Sequence, residues 1–379
     1  MKVFKKYKFT ITALSPIHIG TGDELMPFEY VIKDDMLYFI DLVAMLANLP
    51  ANLRNKYDYA VNQSNLIYIR QFIRNNVDLK RFSKLSVPVC EKLSELYEKN
   101  LNNSDNQLMV NSFIRRLDSN DAIIPGSSIK GAIRTAVVSD FTQTRYNEKN
   151  DESIFRDKHW ENMILKCSDP KDDPFRAVSI EDITLTANST IIDETVIYKP
   201  EKSYQDPAGI QQFYEMTYSI LEGKKVSGSG FLTFYTGLQN KEYADKYNNK
   251  KKAVSMILNA EMLAQTCKKF YSKLIDYEHK KFYTRERKAE LEPVSNRLKE
   301  EVSKLAQNEF PIRLGRFSHC EAVTIDVELK GGDGITPRQL RQPRTKRGKN
   351  GQPLPWGTTR TLAADYFPMG WAKCRFDEV

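Results

Sequence analysis

The residues with the most chemical potential lie in one stretch, "IIPGSSIKGAIRTAV" at 123–137. Gly126, Ser127 and Ser128 lead into Ile129, Ile133, Ala136 and Val137, whose i, i+4, i+7, i+8 spacing predicts the buried face of an α-helix. Ser127 or Ser128 is the expected N-cap. Lys130 and Arg134, four residues apart, share a different face. The unpaired N–H groups and positive dipole end of such a helix attract an anion. Gly126 and Gly131 leave room for its close approach. Hydroxyls, amides and two cations around one helix mouth make a phosphate cradle. The same residues also describe an ordinary serine-capped amphipathic helix with two exposed cations. The stretch is not a Walker A loop, because Ala132-Ile133 stands where Lys-Ser/Thr is required.

Two further basic sites lie later in the chain. "RQLRQPRTKRGK" (338–349) carries Arg338, Arg341, Arg344, Lys346, Arg347 and Lys349 with no acidic residue. Its Pro and Gly content reads as a loop, suited to phosphate-backbone contact without base reading. A solvated charge run is the plainer reading, but this run lies inside the chain, ahead of a further strand. Arg313, Gly315 and Arg316 form a third basic site at a glycine turn.

Proton-transfer chemistry has fewer supports. His18 follows the first strand and could act as a base, with Lys130 stabilising developing charge. Set between Ile17 and Ile19, it reads more simply as an anchor of its loop. His159, His279 and His319 have no evident partner in the sequence. The acidic pairs Asp34-Asp35, Asp172-Asp173 and Glu181-Asp182 read as solvated carboxylates. His319 and Cys320 are adjacent, a poor geometry for two ligands on one zinc, and neither a metal site nor a cofactor is expected.

The elements that must position these groups alternate in type. Residues 7–14 alternate as a strand and stop at "SPIHIGTGD", where Pro16, Gly20 and Gly22 force a loop. Short strands are expected at 28–33 and 36–41, then helical spacing from 42 to 118. Strands follow at 175–186, 191–200 and 228–237, with a short helix at 211–223 between the last two. Residues 252–308 read as helical with a break at Pro293. Residues 310–329 pass through a turn into a strand, 330–360 are loop-like, and 366–376 form a last strand. This order predicts an α+β fold with helices covering one face of an antiparallel sheet. A ferredoxin-like β-α-β-β-α-β core parses as 7–14, 128–140, 175–186, 228–237, 252–280 and 321–329. On that parse 1–41, 119–240 and 310–379 build the core, 42–118 is a helical insertion, and 241–309 holds the second core helix and another insertion.

Composition narrows the class. With 379 residues, 41% hydrophobic and 28% charged, the chain reads as globular and soluble, and its net charge of +8 leans toward a polyanionic partner. No apolar run approaches the about 18 residues that span a bilayer, so no membrane partner is expected. The five cysteines are scattered without C-x-x-C spacing, which argues against a zinc ribbon or disulfide framework and for a reducing, cytoplasmic location.

Four segments, "LSPIHIGTGDE", "IPGSSIKGAIRTA", "RLGRFSH" and "PWGTTRTL…FPMGWAK", together resemble the RAMP superfamily of CRISPR effector proteins. Within it they are similar to the fifth Csm subunit of type III-A complexes. The resemblance runs from about residue 8 to 373 and implies a ferredoxin-like (RRM-like) core with insertions. It implies a guide RNA (crRNA) held toward its 3′ end, at one terminus of a filament of Csm backbone and small subunits. Support for 3′ maturation of the guide in antiviral defence, with trimming by recruited nucleases, also follows from it. The guide-contacting motif then maps to Gly126, Ser127, Ser128, Lys130, Gly131 and Arg134, and the superfamily's glycine-rich loop to Arg313, Gly315 and Arg316. The implied role is non-catalytic RNA binding, with a metal-independent endoribonuclease using His18 as the alternative. Arg341, Arg344, Lys346 and Arg347 complete the expected RNA contacts. The charged helices at 241–308 could dock a nuclease or simply be solvated.

Overall fold

Alternation in residues 5–13 does what it predicts: Phe9, Ile11 and Ala13 are buried while Lys6, Lys8 and Thr10 face the other way. In this computed structural model, which describes residues 3–103, 108–149, 160–198, 212–240, 253–284, 291–325, 359–363 and 366–379, that strand is the centre of a five-stranded antiparallel sheet. Lys5–Ala13 lies between Ser227–Phe234 and Trp371–Glu378. Val178–Ile180 borders the first of these and Glu309–Arg313 the second.

Helices Gly126–Lys149 and Ala260–Glu278 cover one face. Ile129, Ile133, Ala136 and Val137 meet Phe9, Ile11, Leu232 and Phe376 in the main core, with Leu263, Cys267, Tyr271 and Leu274 from the second helix. Each fully buried side chain of Leu, Ile or Phe size contributes about 1.5–3 kcal/mol. Helices segregated to one side of an antiparallel sheet make the α+β class expected from the element order.

A second five-stranded sheet is ordered Arg360–Ala363, Thr190–Tyr198, Gln212–Thr217, Val110–Phe113, Gly20–Leu25, with one parallel pair at its middle. The three-stranded sheet Tyr30–Lys33, Met36–Ile40 and Ser83–Pro88 packs under helices Ala51–Asn62 and Leu66–Asn76 through Val31, Ile40, Ile69 and Ile73.

The chain passes from the first large sheet to the second through the buried loop 14–19. Its backbone is tied on both sides. The N–H groups of Leu14 and Ser15 donate to the Trp371 carbonyl at 2.9 and 3.0 Å. Gly370 N–H donates to Pro16, Thr217 N–H to Ile17 and Arg316 N–H to His18, at 2.7, 2.9 and 3.0 Å. Gly315 (φ +86°) lies so near that a Cβ there would sit 2.2 Å from the His18 carbonyl oxygen.

Buried charge joins the same two sheets. Glu278 Oε1 accepts from Arg313 Nη1 of the first sheet and, at 2.6 Å, from Arg360 Nε of the second. Arg360 Nη2 donates to Glu321 at 2.9 Å, and its guanidinium lies 3.7 Å from the Phe282 ring centroid. Burial raises the Glu278 carboxyl, but the two guanidinium groups outweigh it and hold the group below the ordinary carboxylate range.

Several sequence expectations are corrected. The 42–118 segment holds strands at Ser83–Pro88 and Val110–Phe113 as well as helices, because Leu85 and Val87 turn inward at period two. The helix expected at 211–223 is the strand Gln212–Thr217 and a short 3₁₀ turn; residues 213–217 are all buried, so no alternation marks them. Pro293 does not break a helix but sits in the first turn of Leu291–Ser303, where its missing N–H costs nothing. Residues 319–323 are helical, since Glu321 turns inward to Arg360 and Ala322 packs into the core. The place beside the first strand expected for 321–329 is taken by Trp371–Glu378, and 326–329 lie outside the described residues.

Replacing Glu278 by Ala leaves two guanidinium groups buried without their shared carboxylate. The expected loss is about 3–5 kcal/mol in unfolding free energy, read from urea denaturation. A loss below about 1 kcal/mol, the range of surface pairs, would mean that water reaches the network.

Candidate functional site

The helix expected at the 123–137 motif runs Gly126–Lys149. Its start differs from expectation in one respect. Ser128 N–H donates to the Pro125 carbonyl at 3.0 Å, so both serines lie inside the first turn and neither is the cap. The Asp182 carboxylate instead accepts from Gly126 N–H at 2.8 Å. The helix mouth thus carries an anion of the protein's own, favourably placed against the dipole. Gly126 is required by proximity: a Cβ would lie 2.0 Å from the Ile180 carbonyl oxygen.

The two cations point at the same neighbouring segment. Lys130 Nζ donates to the Val178 carbonyl at 2.7 Å, and burial draws its ammonium below the usual lysine range. Arg134 Nη1 donates to both oxygens of Asp173 at 3.0 and 2.8 Å, with its guanidinium 5.2 Å from the Phe175 ring centroid. Ser127 and Gly131, one turn apart, remain exposed, and a Cβ on Gly131 would meet no atom within 4 Å. An incoming strand can therefore approach the backbone closely there.

The glycine turn divides its arginines. Arg313 is inside the core on Glu278, with its guanidinium 4.9 Å from the Trp371 ring, and is buried rather than on the surface that the basic site was expected to present. Arg316 is exposed, its guanidinium 5.6 Å from the Tyr214 ring centroid. The turn leads into the helix His319–Val323, which packs against Gly126–Lys149. Arg338, Arg341, Arg344, Lys346, Arg347 and Lys349 lie outside the described residues, as does His159.

His18 is 2% exposed, among Phe113, Tyr214 and Phe317, and its Nδ1 hydrogen-bonds the Glu215 carbonyl at 2.7 Å. Burial, aided by the charge of Arg316, lowers its pKa to about 4. It is a neutral ring within the seam. His319 is lowered likewise, to about 3, by burial and by Arg313 and Arg360; His279 Nδ1 bonds Ser295 Oγ at 2.9 Å.

Three carboxylates that organise the site carried no local signal. Asp173 and Asp182 read as solvated, yet their partners are 39 and 56 residues away in sequence. Glu215, fully buried, accepts from Phe113 N–H at 2.8 Å, Thr190 Oγ1 at 2.7 Å and the Arg115 guanidinium. Among the described residues no three His, Cys, Asp or Glu side chains are grouped to hold a metal ion, and no helix is long and apolar enough to cross a membrane.

Residues 10–317 match the sequence model of the RAMP superfamily. Among the relatives that carry the name CRISPR system Cms protein Csm5, two match over long stretches. That of Streptococcus thermophilus is 28% identical over 200 residues, covering 50% of this chain and 54% of that protein. That of Methanocaldococcus jannaschii is 24% identical over 289 residues, covering 71% and 62%. The matches thus span between half and two thirds of the relatives' own length. In fold, the chain is similar to one in the cryo-EM structure of a Csm–crRNA–target RNA ternary complex, with TM-score 0.66, 18% identity and coverage of 98% and 100%. It is also similar to the crystal structure of T. onnurineus Csm5, with TM-score 0.56, 17% identity and coverage of 96% and 99%.

The lowered pKa of His18 has a pH consequence. Between pH 6.5 and about 4 the unfolded chain binds a proton there that the folded chain does not. Stability is therefore complete above that window and falls as the pH drops through it. His18 alone accounts for a loss on the order of 2 kcal/mol between pH 7 and pH 5. Urea midpoints at the two pH values should show it, and His18→Asn should flatten the slope; an unchanged slope would mean the ring is protonated in the fold.

Proposed function

The chain belongs to the RAMP superfamily, and from that membership we propose that it is a guide-RNA-binding, non-catalytic subunit of a type III-A CRISPR effector complex. It caps the filament of Csm backbone and small subunits at the guide's 3′ end and supports 3′ maturation of the guide in antiviral defence, in the cytoplasm. The relatives named Csm5 support this reading, as does the fold shared with a chain of a Csm–crRNA–target RNA complex.

A ferredoxin-like core belongs to the proposal. The first sheet places 371–378, 5–13, 227–234 and 178–180 side by side, all antiparallel, with Glu309–Arg313 as an extra edge strand. If 371–378 fills the fourth strand position, the order is that of a β-α-β-β-α-β unit. The division into a core of 1–41, 119–240 and 310–379 with elaborations at 42–118 and 241–309 follows, though strands within 42–118 make that insertion mixed rather than helical.

The observation that carries binding over cleavage is the enclosure of His18. A general base must reach the proton it removes. This ring is buried, with Nδ1 committed to a main-chain carbonyl, while Ser127, Gly131 and Arg316 are open to a strand from outside. Lys130 and Arg134 contribute by fixing the helix against Val178 and Asp173, with guide phosphate approaching the Ser127–Gly131 side.

Incubating the purified chain with a 3′-extended guide RNA, with and without EDTA, separates the two activities. The RNA is expected to be bound and left intact, identically for His18→Ala. Metal-independent cleavage lost in that variant would make this a processing enzyme. Arg316→Ala should weaken binding several-fold for all sequences and reduce the salt slope by about 0.7, the value for one phosphate of a single strand.

A further inference from the structure

The face of the first sheet that the helices do not cover carries a separate pattern. Strand alternation puts Lys6, Lys8 and Thr10 there, and the pairing registers fix their neighbours. Lys6 stands opposite Thr233. Lys8 lies between Phe231 and Asp377, and Thr10 between Ser229 and Arg375. One rung further, where the face closes over, the buried Thr12 lies between Ser227 and the half-buried Lys373. Lys8, Ser229 and Arg375 are exposed, while Lys6, Thr10, Phe231, Thr233 and Lys373 are half-buried.

We propose that this open sheet face is a second RNA surface, separate from the 126–134 helix, that takes single-stranded RNA by phosphate contacts to Lys6, Lys8 and Lys373 and by stacking of a base on Phe231. The proposal rests on the RNA-binding reading above and adds a location to it. Charge complementarity selects the occupant. The carboxylates bordering the face are already engaged: Asp377 with Arg375, Glu309 with Ala306 N–H, and Glu181 with Phe231 N–H. Lys8 and Lys373 have no carboxylate partner among the described residues, and with Lys6 and Arg375 they give this face four cations against the Asp377, Glu309 and Glu181 carboxylates that border it. The Lys6 ammonium sits over the half-buried Phe231 ring, 3.6 Å from its centroid, so a base that stacks on this ring displaces Lys6 from it toward a phosphate.

A protein partner would favour apolar area, and between Lys6 and Lys373 these rungs carry Phe231 among hydroxyls and amines. The hydroxyl pair Thr10 Oγ1 and Ser229 Oγ, 3.1 Å apart, supplies donors and acceptors beside the ring. Successive rungs repeat about every 6.7 Å, two residues of strand rise, so cations on neighbouring rungs can follow an extended backbone. Base stacking on an aromatic ring tolerates any sequence, which suits a subunit that must accept different guides.

The full chain is titrated into a labelled mixed-sequence single-stranded RNA, with anisotropy read across a salt series. Phe231→Ala should weaken binding about tenfold. The triple change Lys6→Gln, Lys8→Gln, Lys373→Gln should weaken it further and lower the salt slope by about 2. Ultraviolet crosslinking of the unaltered protein, which requires no variant to fold, should attach RNA within 227–234. Sheet-face variants that bind like the parent, while Arg316→Ala still binds less tightly, would overturn this surface and leave the functional reading intact. No RNA binding by the parent chain, alone or in its assembly, would remove both. Unaltered RNA affinity with lost assembly would assign the face to a protein instead.

Discussion

Two arginines from different sheets share one buried carboxylate, and that arrangement constrains much of the rest. Arg313 ends an edge strand of the first sheet and Arg360 begins one of the second, and both reach Glu278 at the end of the helix Ala260–Glu278. Removing such charges from water costs several kcal/mol per ion, which mutual attraction offsets only when every group is placed together. The set therefore holds two strands, one helix and the short helix of Glu321 in a single relation. It also explains two sequence features. "RLGRF" reads as a basic turn, yet its first arginine, like that of "TTRTL", is buried in this network.

The seam beside this network has a similar character. In "LSPIHIG" the backbone of residues 14–18 hydrogen-bonds strands and turns from both sheets, and His18 fills the space between Phe113, Tyr214 and Phe317. Gly315 and Gly20 are glycines because backbone or ring atoms of His18 stand within 2.2 and 2.7 Å of where their Cβ atoms would be. Two of the four segments that resemble the superfamily, "LSPIHIG" and "RLGRF", thus build the junction of the two sheets. Ser127 and Gly131 of the 123–137 motif, and Arg316 after the glycine turn, are instead exposed, and the RNA-binding proposal draws on them.

What the sequence revealed follows from the range of the interactions. The strand at 5–13 and the helix face of Ile129, Ile133, Ala136 and Val137 were legible because each is half-buried, and half-burial writes its period into the residue order. Gln212–Thr217 was not, because it is buried on both faces and its run of Phe213, Tyr214 and Met216 has no period to read. Pairing was invisible for a different reason. Nothing near Arg134 names Asp173, and nothing near Gly126 names Asp182; only the fold brings them together. The same ignorance made Arg313 look like a ligand contact rather than a core residue.

On the RNA-binding proposal, the neutralised helix mouth changes how a polyanion is held there. Lys130 and Arg134 bring two positive charges, and Asp173 and Asp182 two negative ones, so the formal charges of the cradle cancel. On the RNA-binding proposal, long-range attraction to phosphate then comes from the net +8 of the whole chain and from cations such as Lys8 and Lys373, which keep no carboxylate among the described residues. At the helix itself, what distinguishes the surface is shape: an exposed hydroxyl at Ser127 and a bare backbone at Gly131. A site built this way gains little from charge and much from close approach. Its contribution should persist at salt concentrations that suppress the basic surfaces around it, because hydrogen bonds at contact distance are not screened as exposed charges are.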